Sequence, residues 1–229
     1  MRAMTYELPL FPLHMVLFPS MPVHLYIFEL RYRLMMREVL QSNQTFGVVL
    51  IQHGMESLGP LAKTYKIGTA ARIVEVEPLE GGTMNIAAIG TERFRIVKIT
   101  RDHPYLIAQV EPLPLDIQDE QAFSGSAARL RNNVRGYLAM VTELMRNAKN
   151  DEERMDLNEL ELPEDPQTFV QMAASLLQLP TIEKQDLLSS ESMDVLVNNI
   201  ARLYRRELQV NPHLQDISEQ EAARAAWLN

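Results

Sequence analysis

Two hydrophobic periodicities divide this chain of 229 residues. Through about residue 115, apolar positions alternate with polar ones or form short unbroken runs, as in strands; beyond it they recur at three and four, as in helices. In residues 66–77, Val74 and Val76 alternate with Glu75 and Glu77, while Ala71 and Ile73 supply the other face of a strand. The pair Gly81-Gly82 lies between apolar runs and predicts a hairpin, because both residues can take positive φ. Residues 84–89 are the return strand, after which Gly90-Thr91-Glu92 is expected to turn the chain into another strand over 93–100. Further strands are expected at 105–110 and, as a continuous apolar run, at 46–52. A helix over about 29–40 interrupts them, its stripe made of Tyr32, Met35, Met36 and Val39. About six short strands with one helix predict a closed or nearly closed small barrel.

Pro112 and Pro114 mark the junction, since proline donates nothing to a sheet ladder and disfavours helix just before it. Beyond them a long helix is expected over 126–148, with Leu130, Val134, Leu138, Val141 and Met145 on one face. Residues 150–166 are acidic and poorly periodic and are expected to form a solvated connection, with room for one short helix. Asp165-Pro166 suits a helix start, Asp as cap and Pro at the first position. A short helix follows over 181–188, then a longer one to residue 209 that Ser190 could cap. Ser218-x-x-Glu221 has the spacing of a capping box and predicts a last short helix carrying Trp227. The fold class expected is α+β, with a β-rich domain over 1–115 and a helical bundle over 116–229.

Charge follows the same division. Residues 1–115 hold 11 Lys/Arg against 10 Asp/Glu, and residues 116–229 hold 11 against 20, which together make the net charge of −8. That balance disfavours a broad basic field of the kind that grips nucleic acid. No apolar run reaches the roughly 18 residues a membrane span needs. There are no cysteines, so disulfides, thiolate nucleophiles and cysteine metal sites are excluded, and a cytoplasmic setting is the simplest expectation.

Several motifs, in order, resemble the N-terminal substrate-binding domain of Lon proteases. They are Leu8-Pro9-Leu10-Phe11-Pro12-Leu13, Val16-Leu17-Phe18-Pro19 and Ile27-Phe28-Glu29-Leu30-Arg31-Tyr32-Arg33. Phe46-Gly47-Val48-Val49-Leu50-Ile51, Gly68-Thr69-Ala70-Ala71-Arg72-Ile73, Gly90-Thr91-Glu92-Arg93-Phe94-Arg95-Ile96 and Pro104-Tyr105-Leu106 continue the series. In the helical half, Gln185-Asp186-Leu187-Leu188 and Arg205-Arg206-Glu207-Leu208 are similar to the same family. The resemblance spans about 7–210 and implies a six-stranded PUA-like β fold followed by a helical bundle. Ser20 departs from it, because members often have glycine after the Phe-Pro pair. The resemblance implies recognition of protein substrates. The ATPase and protease machinery of a full Lon is not expected here: no G-x-x-x-x-G-K-S/T phosphate loop occurs in the sequence.

Other chemistry is thinly represented. No G-x-S-x-G elbow occurs, and His14, His24, His53, His103 and His213 lack the H-x-x-x-H spacing of a helical zinc site, so neither catalysis nor a metal or cofactor is expected. Arg31, Arg33, Arg37, Arg72, Arg93 and Arg95 could form a basic patch for RNA. The competing expectation is that Arg31, Arg93 and Arg95 pair with Glu29, Glu92 and nearby carboxylates. The better candidates are apolar. Residues 15–22 are proline-broken and rich in Met, which adapts to varied surfaces. Met15, Leu17, Phe18, Met21 and Tyr26 would then offer a groove for exposed segments of unfolded or degron-bearing polypeptide, by strand addition at a sheet edge. The alternative for Leu17 and Phe18 is that they pin the N-terminal segment to the core. The partners expected are unfolded proteins and an ATP-dependent protease, with a homodimer as one use of the helical stripes. RNA binding and small-molecule sensing remain the rival functions.

Overall fold

The structure is a computed structural model that describes residues 4–54, 63–147 and 157–210. The predicted final helix at 218–229 lies outside these residues. In chain order the elements are β1 (Tyr6–Leu13), β2 (Pro22–Ile27), α1 (Leu30–Gln41), β3 (Thr45–His53), β4 (Lys63–Thr64), β5 (Ile67–Pro78), β6 (Met84–Arg101), β7 (Leu106–Pro112), α2 (Glu120–Asn147), α3 (Pro166–Leu176), α4 (Thr181–Leu188) and α5 (Met193–Val210). The α+β class is as expected; the strand list differs in detail.

The sheet is mostly antiparallel. β1 pairs with β7, β7 with β6, β6 with β5 and β5 with β3, and β3 returns to β1 in parallel, so five strands form a closed hydrogen-bonded circuit. The two-residue β4 extends the series beyond β3, and β2 lies outside the circuit, paired to β6 alone from Pro22↔Ile89 to Ile27↔Met84. The hairpin expected at Gly81-Gly82 is present, with φ of 68° and 75°.

The expected turn at Gly90-Thr91-Glu92 is absent. β6 runs unbroken for 18 residues, pairing with β5 and β2 through its first half and with β7 through its second. Gly90 has no positive φ; it is needed because a Cβ there would stand 2.5 Å from the carbonyl oxygen of Phe18. The opposing irregularity falls in β5, whose register shifts between Thr69 and Ala71.

Two clusters fill the circuit. One holds Leu8, Leu10, Val49, Phe94 and Val110; the other joins Phe11, Phe46 and Ile73 to the predicted α1 stripe, with Phe11 stacked on Tyr32 at 4.2 Å. A third cluster unites α2–α5 around Leu130, Val134, Phe169, Leu196, Ile200 and Tyr204. α2 begins six residues earlier than expected, since Asp119 caps it by accepting from Ala122 N at 2.9 Å and Phe123 is buried. Asp165 caps α3 as predicted, accepting from Thr168 N, with Pro166 at the first position. α5 is capped by Ser192 rather than Ser190, the Ser192 hydroxyl accepting from Val195 N at 3.2 Å.

Candidate peptide-binding surface

The segment between β1 and β2 is anchored from both sides. Pro19 and Ser20 form a tight turn closed by Met21 N donating to Phe18 O at 3.2 Å, with Ser20 at φ 66°. Ser20 N donates to Gly90 O, Gly90 N donates to Met21 O, and Thr69 Oγ1 donates to Leu17 O at 2.6 Å. Leu17, 3% exposed, packs into the α1-side cluster, and Phe18, 1% exposed, crosses into the helical cluster. Both side chains are spent on packing. Met15 is half-buried against the α1-side cluster, and Met21 is half-buried where that cluster meets the helical one.

Tyr26 is different. It is 55% exposed on β2, and its ring stacks on Phe28 with centroids 5.7 Å apart and planes at 26°. Phe28 is 50% exposed and Leu30 69% exposed. Phe28 and Leu30 escaped the sequence reading, although the signal was there: Tyr26, Phe28 and Leu30 continue the outward period of two beyond the end of β2. Leu30 also sits off the Tyr32–Met35–Met36–Val39 stripe that α1 buries. The five candidates therefore do not share one surface; of them only Tyr26 is exposed, beside two neighbours that complete an apolar face. That face belongs to a strand with no second strand partner among the described residues.

The arginines are largely engaged. Arg31 pairs with Glu29 at 3.1 Å and Arg95 with Glu111 at 3.2 Å. Arg93 is 4% exposed, and its partners are carbonyls rather than the carboxylates expected: Leu113 O at 3.1 Å, Ser190 O at 3.0 Å, Pro114 O at 3.4 Å and Leu188 O. Burial, with Arg95 nearby, lowers its pKa to about 10. Glu92 instead accepts from the Tyr6 hydroxyl at 3.0 Å, and burial together with that carboxylate pushes Tyr6 up to about 12. Among the described residues, no three His, Asp or Glu side chains gather as metal ligands, and no helix is long and apolar enough to cross a membrane.

This closed β circuit followed by a four-helix cluster matches solved structures of Lon N-terminal domains. The "Lon N-terminal domain protein" of Xanthomonas campestris matches with a TM-score of 0.55 and 25% identity, over 87% of this chain and 98% of that one. The N-terminal domain of the Mycobacterium avium complex Lon protease matches in fold, with a TM-score of 0.59 and 16% identity over 87% and 98% of the two chains. The chain belongs to the family of the ATP-dependent protease La (LON) substrate-binding domain, whose family model matches residues 7–204. Lon protease 2 of Syntrophobacter fumaroxidans is 25% identical over 89% of this chain and 25% of its own length. Lon protease 2 of Herpetosiphon aurantiacus is 27% identical over 96% of this chain and 26% of its own. The chain thus spans about a quarter of the length of the curated Lon proteases it matches.

Proposed function

We propose that this chain is a non-catalytic recognition module that binds unfolded or degron-bearing polypeptide, in the service of an ATP-dependent protease. The observation that carries the reading is the stacked pair Tyr26 and Phe28, each about half exposed, at the end of a strand paired along one side only among the described residues. An extended segment added alongside β2 would gain main-chain hydrogen bonds from the edge and apolar contact from the aromatic face. Main-chain pairing is indifferent to sequence, and aromatic contact area is tolerant of it, which suits a module that must accept many unfolded chains. Membership of a substrate-binding family supports the same reading. Met15 and Met21 border this segment and are adaptable, but their half-buried positions make them poorer test sites than Tyr26 and Phe28.

The test is binding of a fluorescently labelled, reduced and alkylated reporter protein to the full chain and to a Tyr26→Ser/Phe28→Ser variant. Removing two exposed aromatics from the contact should weaken binding by roughly tenfold or more, since truncating such an anchor costs over about 1 kcal/mol. The melting temperature should stay close to that of the parent. Equal binding by a folded double variant would retire the site. Reporter binding that collapses with salt rather than with these substitutions would place the contact on charged side chains instead of this aromatic face.

A further inference from the structure

The pairing that leaves β2 with a free edge also leaves β2, β6 and β5 with a free face. The residues of these strands that point toward α1, such as Val23, Ile86 and Ile73, are buried in the α1-side cluster. Their neighbours point the opposite way, by the period of two. The register sets His24, Ala87 and Glu75 in one row across the three strands, and Tyr26, Asn85 and Glu77 in the next. All six are exposed except the small Ala87, which is half-buried on the middle strand. β6 is therefore the floor of a shallow trough. β5 bulges beside it, so that Val74 and Glu75 both oppose Ala87, and Val74 is 54% exposed. Ile89, 38% exposed, carries the apolar part further along the floor. Charge is confined to one side. Glu75 and Glu77 line the β5 side, and neither makes an ion pair among the described residues. Glu77 accepts a hydrogen bond from Asn85 Nδ2 at 2.8 Å. Two cations border the trough: Arg72, in the row of Ile89, and Arg33, which lies against Gly82 from α1.

β6 is paired on both sides along this stretch, to β5 and to β2, so the face offers side chains and no main-chain groups. An extended segment laid on it would strand its own N–H and C=O groups, which can pair only at the β2 edge. A helix satisfies its own. The two outer rows lie two strand spacings apart, about 9–10 Å, and a helix with its side chains is about 10–12 Å across. A helix over Ala87 and Ile89 would therefore touch both sides of the trough. Its apolar stripe would meet Tyr26, Ile89 and Val74, and one polar flank would lie over Glu75 and Glu77. We propose that this face docks an amphipathic helix of a partner protein, with lysine or arginine along the flank above Glu75 and Glu77. The role goes beyond the one proposed above: extended segments pair at the β2 edge, a helix rests on the face, and Tyr26 serves both. An anionic membrane surface is repelled by the same two carboxylates. A second copy of this face would bring them one cation, Arg72, together with two more carboxylates.

The test uses the full chain and fluorescently labelled peptides of about eighteen residues, five helical turns. One has a leucine stripe in an alanine background with lysine on its flanks. A second carries glutamate in place of lysine, and a third keeps the lysines but has two central prolines that break the helix. Binding is read by fluorescence anisotropy at low ionic strength. The lysine peptide should bind roughly fivefold more tightly than the glutamate peptide, a preference that shrinks as salt is added. The proline peptide should bind roughly fivefold more weakly than its helical parent. In Glu75→Lys/Glu77→Lys, whose altered side chains are exposed and whose melting should match the parent, the preference should invert. That variant still carries a net negative charge, so inversion reports the face and not the whole chain. Its binding of the unfolded reporter should be unchanged, which separates failure here from failure of the β2 edge. Equal affinity for the lysine and glutamate peptides, or no measurable binding of the lysine peptide, overturns the proposal. So does a proline peptide that binds as tightly as the helical one, or a preference for lysine that persists in the folded variant. Self-association in sedimentation velocity that the lysine peptide disrupts would make a second copy the occupant and overturn it equally.

Discussion

Ser20 shows how one side chain can be wrong for its backbone and still be carried. At φ 66° it occupies the left-handed region, which costs an L-residue other than glycine about 1–2 kcal/mol. The turn persists because Pro19 presets the preceding angle and because Ser20 N and Met21 O both bind Gly90. Ser20→Gly should remove the strain, part of the gain being lost to the greater freedom of glycine in the unfolded chain. The expected result is a rise in stability of up to about 1 kcal/mol in urea unfolding, whereas Ser20→Val should lower it by at least as much. The sequence pointed here: glycine is the residue resemblance leads one to expect at this position, and the structure supplies the dihedral reason. It pointed less clearly to Phe28 and Leu30, because each lies in a transition between elements, where neither a period of two nor one of 3.6 alone describes the chain.

At the scale of elements, the helices were the more legible half. The apolar stripes of α1 and α5 and the Asp165-Pro166 start are local signals, set by nearest turns and by hydrogen bonds within four residues. The start of α2 is less legible, because Ser124-Gly125-Ser126 are poor helix formers, and only the burial of Phe123 and Ala127 shows what holds that turn helical. The sequence divides β6 into two strands for a related reason. A glycine followed by Thr-Glu reads as a turn, yet the need for it arises from a residue 72 positions earlier in the chain, Phe18, whose carbonyl presses against the strand. Such a contact has no local signature. The two readings of Gly90 differ in what they predict. A turn glycine at negative φ would accept alanine at little cost or with a slight gain. A strand glycine against a backbone carbonyl would not, because Gly90 is held by the ladder with β5 and the Phe18 carbonyl by the turn bond from Met21 N; Gly90→Ala should cost about 1–3 kcal/mol. Thermal unfolding of that single variant decides between them.

For the whole molecule, the same loop and strand determine how the β circuit and the helices hold each other. Phe18 enters the helical cluster from the β half, while Gln185 donates to Ile67 O and Met193 N donates to Asp116 O from the helical half. Arg93 stands at the centre. Its guanidinium reaches Leu113 and Pro114 on the connection leaving β7, and Leu188 and Ser190 around the end of α4, satisfying carbonyls that the end of a helix leaves without partners. A cation at the end of α4 is also on the favourable side of the helix dipole. The sequence reading expected carboxylate partners for this residue; a buried Arg–carboxylate pair would have desolvated two charges, whereas carbonyls cost only one. The arrangement makes Arg93 indispensable without making it catalytic. Arg93→Met keeps the length of the side chain and removes its donors, stranding as many as four acceptors between the two halves, and should cost about 2–4 kcal/mol. The loss should not be uniform. Hydrogen exchange in the variant should show amides of α4 and the start of α5 losing protection first, with the β1–β3–β7 ladder retaining most of its own. An even loss across both halves would mean that the helices draw their stability from their shared cluster alone.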